Sequence, residues 1–203
     1  MSKIYNINYT NELNVIGGFS YFERQLSFDD KNILIIGPSA PKTILESFKD
    51  KKIDVIICVS NNPKDTVEFY NLPENSIIFT SFWTFDMHTD EILQIVKDKN
   101  IKFNTSKKLY NLHNFTLAER FDNVSFIKSN IENKINNISS EIMQKYILST
   151  GYYALLSVIL QNPKKVYING FTFYHPKFNI YSSDSYHDKN YEHVFTNCGY
   201  ECR

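Results

Sequence analysis

The chain has 203 residues, 42% of them hydrophobic and 15% aromatic, with 22 basic side chains set against 22 acidic ones. That length suits one or at most two compact domains with a sizeable core, and so much apolar surface excludes a disordered or collagen-like chain. Zero formal net charge removes the broad basic surface on which duplex nucleic-acid binding depends, so no nucleic-acid partner is expected despite pairs such as Lys107 and Lys108.

Residues 1–9 carry no apolar signal core, and the longest apolar run, residues 152–160, falls far short of the ~20 residues a spanning helix needs. No transmembrane segment is expected. Three cysteines, Cys58, Cys198 and Cys202, leave at least one thiol unpaired, so the reading is a cytoplasmic protein, peripheral to a membrane at most. Cys58 sits in an apolar run where cysteine acts as a small hydrophobe, and Cys198 and Cys202 lack two further ligands at zinc spacing, so no metal site is expected. The excess of Asn, Ile, Lys, Tyr and Phe, with Arg only at Arg24, Arg120 and Arg203, reads as the mark of an A/T-rich coding sequence.

In chain order, residues 1–30 are weakly patterned and read as an N-terminal arm or edge element that could serve self-association into a homo-oligomer. Residues 31–203 form the second unit. The run Asn32-Ile33-Leu34-Ile35-Ile36, stopped by Gly37-Pro38-Ser39, is the pattern of a strand buried on both faces of a parallel sheet. Residues 41–51 read as a helix with Ile44, Leu45 and Phe48 inward, and residues 53–59 as a second buried strand. Residues 75–80 make a third β run. Residues 89–99 make a helix with Thr89 as cap and Ile92, Leu93, Ile95 and Val96 buried. Residues 124–127 read as a strand, 130–137 as a polar helix, 146–161 as an apolar helix ending before Pro163, and 165–170 as the last strand. Strands alternating with helices over this length predict an open, mostly parallel α/β sheet with its ligand site outside the carboxyl ends of the strands.

The segments that follow those strands are rich in small and polar groups: Gly37 and Ser39, Ser60 and Asn61, Thr80 and Ser81, and Gly170 with the residues after it. Neither a G-x-G-x-x-G dinucleotide fingerprint nor a G-x-x-x-x-G-K-[ST] loop is present. Ser149-Thr150-Gly151 opens the apolar helix, where free amides and the positive dipole end favour a phosphate or carboxylate, although an ordinary Ser/Thr cap explains the same residues. The tail gathers Tyr174, His175, Tyr181, Tyr186, His187, Tyr191 and His193. Tyrosine hydroxyls can donate to a leaving phosphate, and a neutral histidine can take a proton from a hydroxyl.

In order and spacing these residues resemble the sialyltransferases, both bacterial-type and animal-type. Leu148-Ser149-Thr150-Gly151, the apolar helix and the strand ending at Gly170 look like the family's small-motif segment, and His187 followed by Glu192 looks like its His, four residues, Glu pattern. The resemblance covers roughly residues 30–195, with its specific part in the last third.

It implies a Rossmann-like variant with helices on both faces of the sheet and a single domain that binds a nucleotide-sugar. The implied reaction is an inverting, metal-independent transfer of sialic acid or a related sugar from a CMP-activated donor to a glycan hydroxyl, with no cofactor beyond the donor. His187 would be the general base, with His193 and His175 as competitors. Tyr174 and Tyr181 would hold the CMP phosphate, and Ser149, Thr150 and Gly151 the donor's carboxylate and phosphate. Gly37, Ser39, Ser60, Asn61, Thr80 and Gly170 would line the nucleotide and sugar. The alternatives are a Mg-dependent diphosphokinase-like enzyme, whose Gly-Pro-Ser loop is similar, and a nucleotide-binding pseudo-enzyme module.

Overall fold

The computed structural model describes residues 9–16, 19–80, 89–106, 123–142 and 150–171. Eight strands form one open sheet: β1 (Tyr9–Ile16), β2 (Phe19–Leu26), β3 (Asn32–Ile36), β4 (Val55–Val59), β5 (Ile77–Phe79), β6 (Lys102–Thr105), β7 (Val124–Phe126) and β8 (Lys165–Asn169). Their order across the sheet is β1-β2-β7-β6-β5-β4-β3-β8. β1 and β2 pair antiparallel, and every other neighbouring pair is parallel. The protein is therefore an α/β fold of the Rossmann-like kind, with residues 9–26 forming an antiparallel ribbon at one edge of the same sheet.

Helices α1 (Ile44–Ser47), α2 (Pro63–Tyr70), α3 (Thr89–Lys99), α4 (Ser129–Ile142) and α5 (Thr150–Ile159) lie between the strands in sequence. Alternate strand residues feed two apolar layers. Leu34, Ile36, Ile56, Cys58, Ile78 and Phe103 pack with Ile44, Val67, Tyr70, Ile92 and Ile95, which places α1, α2 and α3 on one face. Ile33, Ile35, Val55, Ile57, Ile77 and Phe79 pack with Ile131, Ile135, Tyr153, Ala154 and Val158, which places α4 and α5 on the other. Two-sided burial explains why the central strands read as continuous β-branched runs, fully buried from Asn32 to Ile36 and from Val55 to Val59.

The structure differs from the sequence reading at several elements. The helix expected over residues 41–51 shrinks to the single turn of α1. Beyond it Phe48, Lys49 and Lys51 donate to the carbonyls of Leu45, Glu46 and Phe48, three residues back, so the chain continues as tight turns. Two elements were not read at all. α2 carries ordinary signals, with Asn62 as its cap residue, Pro63 at its first position and Asp65 in its first turn. β6 is Lys-Phe-Asn-Thr, whose polar residues hide a strand buried throughout. α4 is longer than the segment read, and Leu93 of α3 is 47% exposed rather than buried. β8 sits at an edge and is half covered, with Ile168 exposed.

The asparagines have a structural use that composition did not suggest. Asn71, Asn100 and Asn162, each just beyond a helix, and Asn75 in a turn all take positive φ, between 47° and 62°. Those positions suit glycine, of which the whole chain has six, and asparagine is the next most tolerant residue.

Candidate functional site

From β3 the chain steps outward through β4, β5, β6 and β7, then returns to place β8 on the other side of β3. The direction reverses between β3 and β8, and ligands of open α/β sheets bind outside the carboxyl ends of the strands at such a point. The loops leaving β3 and β8 interlock there. Gly37 N donates to Asn169 O at 2.7 Å, Ser39 N to Gly170 O at 3.0 Å, and Ala40 N to Gly37 O at 3.2 Å.

A Cβ on Gly37 would lie 2.4 Å from Gly170 O, and one on Gly170, whose φ is +77°, would lie 2.4 Å from Ala40 N. Both glycines are thus required by close backbone approach. The same bonds commit the amides of Gly37, Ser39 and Ala40 inside the fold, and Pro38 has none, so this loop meets a ligand through its Ser39 side chain and carbonyls rather than through an amide cradle. Tyr70, at the end of α2, fixes the loop from below: its hydroxyl donates to Ala40 O at 3.2 Å and lies 3.4 Å from Gly37 O.

The next strand ends continue the row. Ser60 N donates to Phe79 O at 3.0 Å and Thr80 N to Asn104 O at 3.1 Å, so Ser60 and Thr80 extend the ladder one step past β4 and β5 and come level with Thr105, the last residue of β6, whose carbonyl accepts Ile127 N at 3.0 Å. Each lies two residues beyond a member of the α1–α3 layer (Cys58, Ile78 and Phe103), so the three hydroxyl residues share that side of the sheet. Ser60 Oγ accepts Asn62 N at 2.9 Å and lies 2.6 Å from the Thr66 hydroxyl, which fastens the start of α2. Thr80 donates to Asn61 Oδ1 at 3.3 Å, which draws exposed Asn61 over the β5 end.

The start of α5, with Thr150 and Gly151 half-buried, comes to the same edge, and the helix packs across β4 and β5. A turn further on, Tyr153 faces α4. Burial, reinforced by the negative charge of Glu132, raises the Tyr153 phenol above its ordinary value, so it stays protonated. Glu132, itself only 6% exposed, accepts a hydrogen bond from the Ser106 hydroxyl at the end of β6. Among the described residues, the buried side-chain oxygens without a hydrogen-bond partner are Asn104 Oδ1, Thr105 Oγ1 and Asn136 Oδ1.

Of the residues singled out from the sequence, Gly37, Ser39 and Gly170 come together at the switch point, and Ser60, Asn61 and Thr80 form the adjoining row. Thr150 and Gly151 lie at the start of α5. Ser149, Tyr174, Tyr181 and His187, with His175, His193 and Glu192, lie outside the described residues. Thr105, Ser106 and Glu132 were missed because their strand and helix carry polar sequences that look solvated; the alternation Ile101, Phe103 was the available signal. Cys58 is fully buried, and burial pushes its thiol far above the usual range, which makes it inert.

The chain is similar in fold to the sialyltransferase CstII from Campylobacter jejuni, whose structure was determined in complex with a substrate analogue, cytidine-5'-monophosphate. The two superpose with a TM-score of 0.51 over 72% of this chain and 70% of that one, at 14% identity. No protein-family model matches the chain, and no curated protein matches it in sequence. The fold is thus one used by a glycosyltransferase. No helix of the described residues is long and apolar enough to cross a membrane.

Proposed function

We propose that the protein is a sialyltransferase-like glycosyltransferase that moves sialic acid or a related sugar from a CMP-activated donor to a glycan hydroxyl, with inversion and without a metal. The observation that carries this reading is the likeness of its fold, over 72% of the chain, to a sialyltransferase. The polar strand ends and the start of α5 support it. An anion at the first turn of α5 meets the positive end of the helix dipole, which suits the donor's phosphate and carboxylate around Thr150 and Gly151. Ser39, Ser60, Asn61 and Thr80 follow one another past the carboxyl ends of β3, β4 and β5, where nucleotide and sugar would lie in this reading.

Displacement at an anomeric carbon through an oxocarbenium-like state needs a base on one side and stabilisation of the departing phosphate on the other. His187 takes the first role in this reading, removing the acceptor proton, and Tyr174 and Tyr181 take the second by donating to the phosphate as CMP leaves.

The test is calorimetric titration of the native chain and of His187→Ala with CMP, ATP and UMP, with and without Mg²⁺, followed by a transfer assay from CMP-sialic acid. Metal-free, selective CMP binding retained in the variant with transfer abolished is the expected result. Mg-dependent ATP binding would replace the reading with the diphosphokinase-like one. CMP binding with no transfer by the native chain would leave a binding module.

A further inference from the structure

We propose that the end of β6 is a further subsite of the crevice, in which the Thr105 hydroxyl binds a hydroxyl or amide group of a neutral sugar. Three observations converge on it. The first is the row itself: Ser60 and Thr80 spend their hydroxyls on Asn62, Thr66 and Asn61, whereas Thr105 Oγ1, in a residue that is fully buried, has no hydrogen-bond partner. Buried polar atoms are almost always satisfied, and one that is not marks a place completed by something else. The hydroxyl both donates and accepts, so it fits a sugar hydroxyl or an amide equally.

The second observation is position. β6 stands three strands from β3, about 14 Å at ordinary strand spacing. A ligand that runs along the strand ends from the β3 loop therefore reaches Thr105 with its far end. The third is charge. On the other side of the same strand end Ser106 donates to the buried carboxylate of Glu132, which repels a second anion and leaves this end to a neutral group. Thr105 is closed to solvent, so filling the subsite requires the strand end to open.

Only the sugar's origin, donor or acceptor, rests on the transferase reading. Thr105→Val removes the unpartnered hydroxyl and keeps the shape of the side chain. Its thermal midpoint should equal or exceed that of the native chain, because no existing bond is lost. Affinity for CMP should stay within about twofold. If the subsite holds the donor's sugar, affinity for CMP-sialic acid should fall about tenfold; if it holds the acceptor, the KM for a neutral glycan at saturating donor should rise about tenfold.

An unchanged variant in both arms overturns the proposal. Should the native chain bind no CMP-sugar, the transferase reading fails and the subsite is decided separately by the Thr105 methyl resonance of the native chain. A shift with neutral monosaccharides but not with inorganic phosphate upholds the subsite, and no shift overturns it. The same resonance decides the matter if Thr105→Val does not fold.

Discussion

The two glycines of the switch point face each other with no room for a methyl group on either. Gly170→Ala combines a left-handed backbone conformation with a clash against Ala40 N, so it should cost at least about 2 kcal/mol in urea unfolding. Gly37→Ala meets Gly170 O at 2.4 Å and should cost a similar amount without any φ penalty. A second residue-scale prediction concerns Asp54, whose carboxylate accepts Asn32 N at 2.8 Å and Asn32 Nδ2 at 2.7 Å. Burial opposes its ionisation, but those two bonds and the charges of Lys52 and Lys31 together lower its pKa below the ordinary value.

A lowered carboxylate contributes stability above its unfolded pKa of about 3.9 and loses it as pH falls through the folded value. Asp54→Asn should therefore destabilise the protein on the order of 1 kcal/mol at pH 7 and by progressively less below pH ~4. Equal destabilisation at pH 7 and at pH 2 in denaturant titrations would contradict this. At this scale the sequence was informative where turn chemistry is local: a Gly-Pro-Ser after an apolar run or a Ser-Asn after another announces a strand end. It was silent at Thr105 and Glu132, whose importance comes from neighbours distant along the chain.

Elements were legible in proportion to their apolar content. β3 and β4 announce themselves because both faces are buried, whereas β6 has the same burial with Lys102 and Asn104 in its alternating positions and so reads as loop. The helix expected at residues 41–51 failed for the opposite reason, since its apolar spacing is genuine but the chain satisfies those side chains with one helical turn and a series of tight turns. α2 has a task beyond covering the sheet, because Tyr70 at its end holds the first loop by its hydroxyl. Tyr70→Phe should cost about 1 kcal/mol. It should also weaken CMP binding if that loop contacts the nucleotide, which titration of the folded variant measures.

At the scale of the whole molecule, the alternation of strand and helix gave the class, but the pairing order could not be read from one chain. Where the chain returns beside β3 is a long-range fact. Among the described residues the two apolar layers are separate clusters on opposite faces of the sheet, and Phe79 is 1% exposed in the α4–α5 layer. Phe79→Ala should cost about 3–5 kcal/mol. In the native chain Cys58 should resist alkylation until global unfolding, so the rate of its modification, followed by mass spectrometry, reports the opening of that sheet.

β8 has a consequence for how the protein is made. It is hydrogen-bonded along β3, yet more than a hundred residues are synthesised between the two. While the ribosome works through that interval, β3 presents an unpaired flank, and the loop after it lacks the Asn169 and Gly170 carbonyls that hold it. The junction of the two loops therefore cannot form on a nascent chain that stops short of Gly170, and β3 through β7 emerge as a sheet with a sticky side that only the late strand closes.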